Sequence, residues 1–486
     1  MASPPLNGSL VTRIGRLAAG TMFAAALLLG PSPRLAFADD PDANEGGLIR
    51  DTEIENTLKV YEMPVWTAAG LNPSDMHIFI VQDHTLNAFA AGGENIFLNT
   101  GLLLAARTPN EIIAVMAHET GHIAGGHLAR NYQAEQEAMR PALISLGLGI
   151  LAMAAGAPDA GGALIAGAGQ FGQSEFVRHT QVQESSADQA AVTYLDSSGQ
   201  SGRGLIDFFN HNLRQYEFQM RHAPPYLIDH PFTSDRVEAL RQRIEAAEHR
   251  DAQDTPDNIE RFKFMQAKLI GFLWSEGQTL ARYPLSDTSQ PARYARAVAY
   301  YRVSDLAKAR AELNSMISAS PNNPYFQELM GQILFDNGRA AESVQYHRRS
   351  VELAPNSPLL MINLARAIAG AANPHSPTHA GTEEAVQLLQ DALRIEPDNA
   401  FGWRELAEIR DQRGEHGLAD LASAEENYSL GDYAAALNFA ERARRALQQG
   451  TPSFVRASDI VDLSTEQVRQ QAAHRGQTGG GGRGAN

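Results

Sequence analysis

The 486-residue chain has no cysteine. Thiolate metal sites, cysteine nucleophiles and disulfides are therefore excluded, and any metal must be held by histidine and carboxylate. An excess of positive charge is missing too. The formal net charge is −16, which speaks against a nucleic-acid binder, because such proteins carry basic faces. Apolar runs of bilayer-spanning length are also wanting, since a span needs about 20 residues. "LAAGTMFAAALLLG" near the N-terminus falls short of that, as does each half of the Gly- and Ala-rich stretch 141–168. Arg13 and Arg16 precede the first run and Ala36-Phe37-Ala38 follows it. That pattern predicts a cleaved export signal over residues 1–38, with Asp39 as the mature start, and export points to the periplasm. The stretch 141–168 predicts a helical hairpin packed on its domain. An apolar flap that touches a membrane surface or unfolded substrate is the second reading.

What is present divides the chain. Residues 51–70 read as a helix; "MHIFIVQD", "TLNAFA" and "IFLNT" read as strands joined by the glycines of "AGGEN", which predicts a small antiparallel sheet. In "TPNE", Thr108 can cap a helix, Pro109 suits its first position and Glu111 can close a capping box, so a helix is expected from about Pro109 to Tyr132. Further helices are expected near 174–195, 200–219 and 234–248, then a polar linker. From about residue 260 strand signals vanish. Pro321 and Pro355 are 34 apart, as are Gly331 and Ala365; Pro397 and Ala407 keep the register after an insertion at "NPHSPTHAG". That period, with a small residue inside one helix and proline after the next, is the tetratricopeptide signature. Gly338, Gly414 and Gly431 are expected at turns, and "GQTGGGGRGAN" as a flexible end. The expected division is a signal over 1–38, a catalytic domain over 39–250, helical repeats over 260–462 and a flexible tail over 463–486.

The chemistry lies in "AVMAHETGHIAGGH", residues 114–127. His118 and His122 are four apart on a helix, so one face offers both rings to one metal ion. Glu119 stands beside the first ligand and can take a proton from an attacking water. His127 is five residues past His122. At about 100° per residue on a continuing helix it faces roughly 140° away, which assigns it structural hydrogen bonds rather than ligation. Two histidines need a third protein ligand. In "QESSADQAAVTYL", Glu184 and Asp188 share a helix face with the small Ala187 and Ala191, which permit close approach to the first helix. Glu184 would ligate, and Asp188 would accept a hydrogen bond from a ligand histidine and fix its tautomer. "DHPFTSDR" adds His230 and Arg236, which could stabilise an oxyanion or cover the metal. His179, His211 and His222 lack such a pattern.

The order "TLNAFAAGG", "TGLL", "HETGHIAGGH", "ESSAD", "HPFTSDR" resembles the HtpX-like zinc metallopeptidases. Within them it is similar to the periplasmic type that joins a protease domain to C-terminal tetratricopeptide repeats. The resemblance implies a mainly α fold, with a zincin-type (gluzincin) domain that carries the small antiparallel sheet, followed by an α-helical solenoid. It implies one zinc per subunit on His118, His122 and Glu184, with Glu119 as general base. His230 then matches a histidine that fills a fourth ligand position in a latent state and must move for cleavage. Asn87, Gly92 and Gly93 match the edge-strand region to which a substrate strand adds. The implied activity is endopeptidase cleavage of misfolded or stalled outer-membrane proteins, with the outer-membrane barrel assembly machinery as the partner of the repeats. The rival expectation is a chaperone or assembly scaffold whose metal site is structural or latent.

Overall fold

A computed structural model describes residues 47–91, 93–127, 181–213, 230, 234–372 and 381–479. The expected signal 1–38, the stretch 141–168, His179, His222 and Gly92 lie outside the described residues. The first described elements are a two-residue strand β1 (Leu48–Ile49) and helix α1 (Thr52–Ala68), capped by Asp51, whose side chain accepts the Ile54 N–H. Three strands follow, β2 (His77–Val81), β3 (Ala88–Ala91) and β4 (Asn95–Asn99).

The sheet order is β1-β2-β4-β3. β1 pairs with β2 and β3 with β4 in antiparallel fashion, but β2 and β4 run parallel. The sheet is therefore mixed, which corrects the expected antiparallel one. The segment after β2 carries the chain past the β4 position, so β4 turns back between β2 and β3, and among the described residues β3 is the edge. Ile78, Ile80, Ala88, Ile96 and Leu98 form the buried face. On the other face Phe79, Phe97 and Phe89 stack in sheet order with ring centroids 4.9 Å apart at both steps.

Helix α2 (Thr100–Ala105) leads to α3 (Pro109–Ala124), whose start follows its sequence signals. Thr108 Oγ1 accepts the Glu111 N–H at 3.2 Å, while Glu111 Oε2 accepts from the Arg107 N–H at 2.8 Å, one residue before the cap. Gly125 and Gly126 end α3 well short of Tyr132. A fourth helix, α4, has residues 181–197 as its described part. α5 (Arg203–Phe208) continues into a π-helical turn, Phe209–Leu213, and α6 is Ser234–Ala246. One core joins α1, the buried sheet face and α3 through α6.

Helix α7 (Pro256–Leu273) belongs to two cores. Phe262, Met265 and Leu269 pack into the first, whereas Phe264 packs with Tyr294, Val298 and Phe326 in the second. After α8 (Glu276–Arg282), helices succeed one another as α9 (Gln290–Arg302), α10 (Leu306–Ala319), α11 (Pro324–Asp336), α12 (Ala340–Leu353), α13 (Pro358–Ala371), α14 (Thr382–Ile395), α15 (Ala400–Gln412), α16 (His416–Ser429), α17 (Tyr433–Ala446) and α18 (Pro452–Gly479). Sequential helices pack in pairs and each pair packs on the next. Gly331, Ala365 and Ala407 fall on the first helices of pairs, and a Cβ on Gly331 would meet the His347 ring at 2.7 Å. The flexible tail expected from residue 463 is instead helical to Gly479, because its residues up to that point are mostly good helix formers and Ile460, Val461 and Ser464 are buried. The solenoid holds the start of α1: Tyr294 donates to Glu53 at 2.7 Å, Asn56 donates to Tyr325 at 3.2 Å, and Arg50 pairs with Glu396 at 3.0 Å. Among the described residues no helix is long and apolar enough to cross a membrane.

Candidate metal centre

Helix α3 is buried along nearly its whole length, including His118, Glu119 and His122. Its tight approach to α4 follows from small residues: a Cβ at Gly121 would stand 2.8 Å from the Ala187 carbonyl oxygen. Any larger residue at 121 would drive the two helices apart and lift Glu184 from the histidines.

At that crossing the two Nε2 atoms of His118 and His122 face each other at 3.1 Å. Glu184 lies across from both, with Oε2 3.3 Å from His118 Nε2 and Oε1 3.4 Å from His122 Nε2. His230 brings its Nδ1 to 3.1 Å from Glu184 Oε2 and 3.4 Å from His118 Nε2. One ligand atom from each of these four buried residues lies within 4.8 Å of the others. Two imidazole nitrogens turned on each other repel unless a proton or a metal cation sits between them. Among the described residues, Glu119, Glu184 and Asp188 are opposed by the guanidinium of Arg236 and by a protonated His118, whose charge a dication would replace. The donor set of nitrogen and oxygen suits zinc.

The protonation pattern has the same origin. Burial disfavours charge on His118, but Asp188 and Glu184 outweigh it and raise its pKa to about 10. Burial, joined by neighbouring His118, lowers His122 to about 2. Burial pushes Glu184 up, yet His118 and His230 hold it well below the usual carboxylate range. Glu184 is thus ionised and His122 neutral, the forms in which both ligate, while His118 carries a proton that a metal ion would displace.

Around this cluster, Asp188 Oδ1 lies 3.0 Å from His118 Nδ1. Arg236 donates to both Asp188 oxygens at 2.9 Å and approaches Glu184 Oε2 at 3.1 Å. Arg236, expected to stabilise an oxyanion or cover the metal, here directs its forked donors to the α4 carboxylates. His127 lies outside the ligand group and makes a hydrogen bond, as expected, but its helical angle misjudged the direction: it is buried with Nδ1 3.1 Å from His122 Nδ1. That angle assumed a continuing helix. The paired glycines at 125 and 126, a helix-stop signal, mark where the assumption fails.

Glu119 borders the ligand group without belonging to it. The Ala90 backbone N–H faces its carboxylate, but neither oxygen completes an ordinary hydrogen bond. His230 Nε2 stands 3.5 Å from Glu119 Oε1. Burial raises the Glu119 pKa, with His230 and His118 pulling the other way. A buried carboxylate with unfilled acceptor positions is equipped to take a proton. The edge strand lies directly beside it. Asn87 C=O accepts from Asn99 N–H and Phe89 sits opposite Phe97, so the alternation of an antiparallel pair turns the main-chain groups of Ala88 and Ala90 outward. Asn87 and Gly93 flank this strand. His211, as expected, takes no part and is exposed.

The sequence profile of peptidase family M48 matches residues 51–244, the segment that holds every residue of this centre. The chain carries an M48 domain and is a zinc metalloprotease. The chain is 25% identical over 438 residues to the beta-barrel assembly-enhancing protease of Escherichia coli (strain K12), covering 87% of this chain and 84% of the relative. It is 27% identical over 395 residues to the putative beta-barrel assembly-enhancing protease of Vibrio cholerae, covering 79% and 78%. The metalloprotease LoiP of Escherichia coli is 28% identical over 183 residues, 36% of this chain and 64% of that protein. The first two likenesses run through the M48 domain into the helical repeats, whereas the LoiP match is far shorter. In this M48 domain a bound zinc would be held by His118, His122 and Glu184.

Proposed function

We propose that this protease works in the periplasm on unfolded or stalled outer-membrane proteins, with tetratricopeptide repeats over 260–462 that dock the barrel assembly machinery. The names of the long relatives support the substrate class and the partner. The observation that carries the reading is the edge strand β3, whose outer side pairs with no other strand among the described residues and lies against Glu119. An extended polypeptide adds there by main-chain pairing with Ala88 and Ala90. A substrate residue opposite Phe89 then falls in the close, non-hydrogen-bonded type of pair and extends the Phe79–Phe97–Phe89 stack. Strands of outer-membrane barrels, with alternating apolar and aromatic side chains, suit that surface.

The chemistry that zinc supplies when bound is Lewis acidity toward the scissile carbonyl and an acidified water. Glu119 takes the proton of the attacking water and returns it to the leaving amide nitrogen. His118, His122 and Glu184 hold the metal, Asp188 and Arg236 orient the holders, and His230 vacates its place between Glu184 and Glu119 before substrate enters. In that place His230 blocks Glu119, which supports a latent state. The same observation favours the second reading, an assembly scaffold whose centre stays latent.

Two denatured reporters of equal length test the substrate class, one from an outer-membrane barrel and one from a helical protein. Faster cleavage of the barrel reporter, slowed by Phe89→Ala, is expected; equal rates on both would remove the substrate assignment. Photocrosslinking from the repeats tests the docking. Adducts with the assembly machinery are expected, and adducts with substrates alone would remove the partner.

A further inference from the structure

Helix α3 stops at Ala124, and the next three residues fold a third histidine back onto it. Gly126 has φ +61°, a left-handed conformation that breaks the helix. Gly125 makes room for the returning ring: a Cβ there would stand 2.6 Å from His127 Nε2. The ring of His127 is 3% exposed and meets His122 edge-on, with centroids 5.0 Å apart. Its Nδ1 lies 3.1 Å from His122 Nδ1.

His122 directs Nε2 toward His118 and Glu184, so Nε2 is the atom it offers to a cation. A neutral imidazole that offers Nε2 carries its proton on Nδ1, and a buried N–H needs an acceptor. For His118 the nearby group is a carboxylate, Asp188 Oδ1, 3.0 Å from His118 Nδ1. For His122 the acceptor at hand is an imidazole.

We propose that His127 is a positioning residue for the zinc site. In its neutral form, with the proton on Nε2, it accepts the His122 Nδ1–H. It thereby fixes the tautomer and ring plane of His122. The two ligand histidines are thus backed differently, His118 by a carboxylate and His122 by an uncharged ring that adds no further negative charge to the centre. Gly125, Gly126 and His127 form one device: a turn, a space and an acceptor. The proposal rests on the zinc-ligand reading of His118, His122 and Glu184.

The test is zinc affinity, measured on the full mature chain by competition with a chromophoric chelator, with the cobalt(II)-substituted absorption spectrum as a second readout. His127→Phe keeps an aromatic ring but offers no acceptor, and should weaken zinc binding about 10- to 100-fold and change the cobalt spectrum. His127→Gln supplies an amide oxygen and should restore affinity to within a few-fold of wild type, with a wild-type spectrum. If His127→Phe loses the helical circular dichroism of the metal-free chain, His127→Leu takes its place in the same comparison. Unchanged affinity in the apolar variant would overturn the proposal. So would equal losses for the apolar variant and His127→Gln, which would reduce His127 to a packing role. A wild type that binds no zinc would instead overturn the ligand reading beneath it.

Discussion

Replacement of Lys268 by methionine tests whether the catalytic domain and the helical repeats are held together as described. Lys268 lies on α7, with only 2% of its side chain exposed. Its Nζ reaches Asp51 at 2.6 Å and Glu53 at 3.3 Å, both at the start of α1, and Glu328 of the repeats at 3.8 Å. Methionine keeps most of the aliphatic stem, so little packing is lost. What remains is three carboxylates facing one another around a vanished cation. Breaking a buried pair by removing one partner costs about 3–5 kcal/mol. Protonation can relieve part of this cost. Burial already raises Glu53, and it pushes Glu328 up to about 7 against the pull of Lys268. The loss should therefore approach about 3 kcal/mol at pH 8 and shrink toward pH 5, where the acids take up protons in the folded variant. Urea unfolding followed by circular dichroism at the two pH values measures it. A loss below about 1 kcal/mol at pH 8, or one independent of pH, would refute the reasoning.

Four further outcomes follow from the same contacts. Glu62 is fully buried, bonded to Thr120 at 3.4 Å, and burial raises its pKa well above 4.5. Its folded form therefore holds a proton that the unfolded chain releases, so stability is full below about pH 4.5 and declines as pH rises. Glu62→Gln should flatten that decline in thermal melts across pH 4 to 8, and an unchanged slope would count against a protonated Glu62. His230→Ala should raise kcat/KM for an unfolded substrate by about tenfold or more, the worth of one charge-assisted hydrogen bond that holds it in place. A fall in rate with zinc retained would make His230 a group that the reaction needs. Asp188→Asn should weaken zinc binding about 10- to 100-fold, read by chelator competition, since it weakens both the His118 contact and the Arg236 fork. Zinc affinity equal to wild type would place Asp188 outside the support of the metal. The fourth outcome concerns Glu119 itself.

Much of this centre is legible because its parts are local. Thr108, Pro109 and Glu111 announce α3, and the spacing of His118 and His122 puts both rings on one face. Ala187 and Ala191 mark the face of α4 that meets α3, which brings Glu184 and Asp188 with it. The parallel pairing of β2 with β4 is not legible in that way, because alternation reveals a strand but not its neighbour. β1, two residues long, leaves no periodic trace. His127 escaped an angle drawn straight through two glycines. The helical run to Gly479 was hidden by the glycines beyond it, although the residues before them favour helix. The sharing of α7 between two cores depends on contacts far apart in sequence, such as Gln266 donating to the carbonyls of Leu103 and Ala106.

The account stands most directly on Glu119. Its carboxylate is buried, turned to the edge strand and outside the ligand set. Zinc content and cleavage of an unfolded protein, measured side by side for the wild type and Glu119→Gln, decide its role. The account predicts one zinc per chain in both and proteolysis in the wild type alone. Equal proteolysis by the two would contradict it.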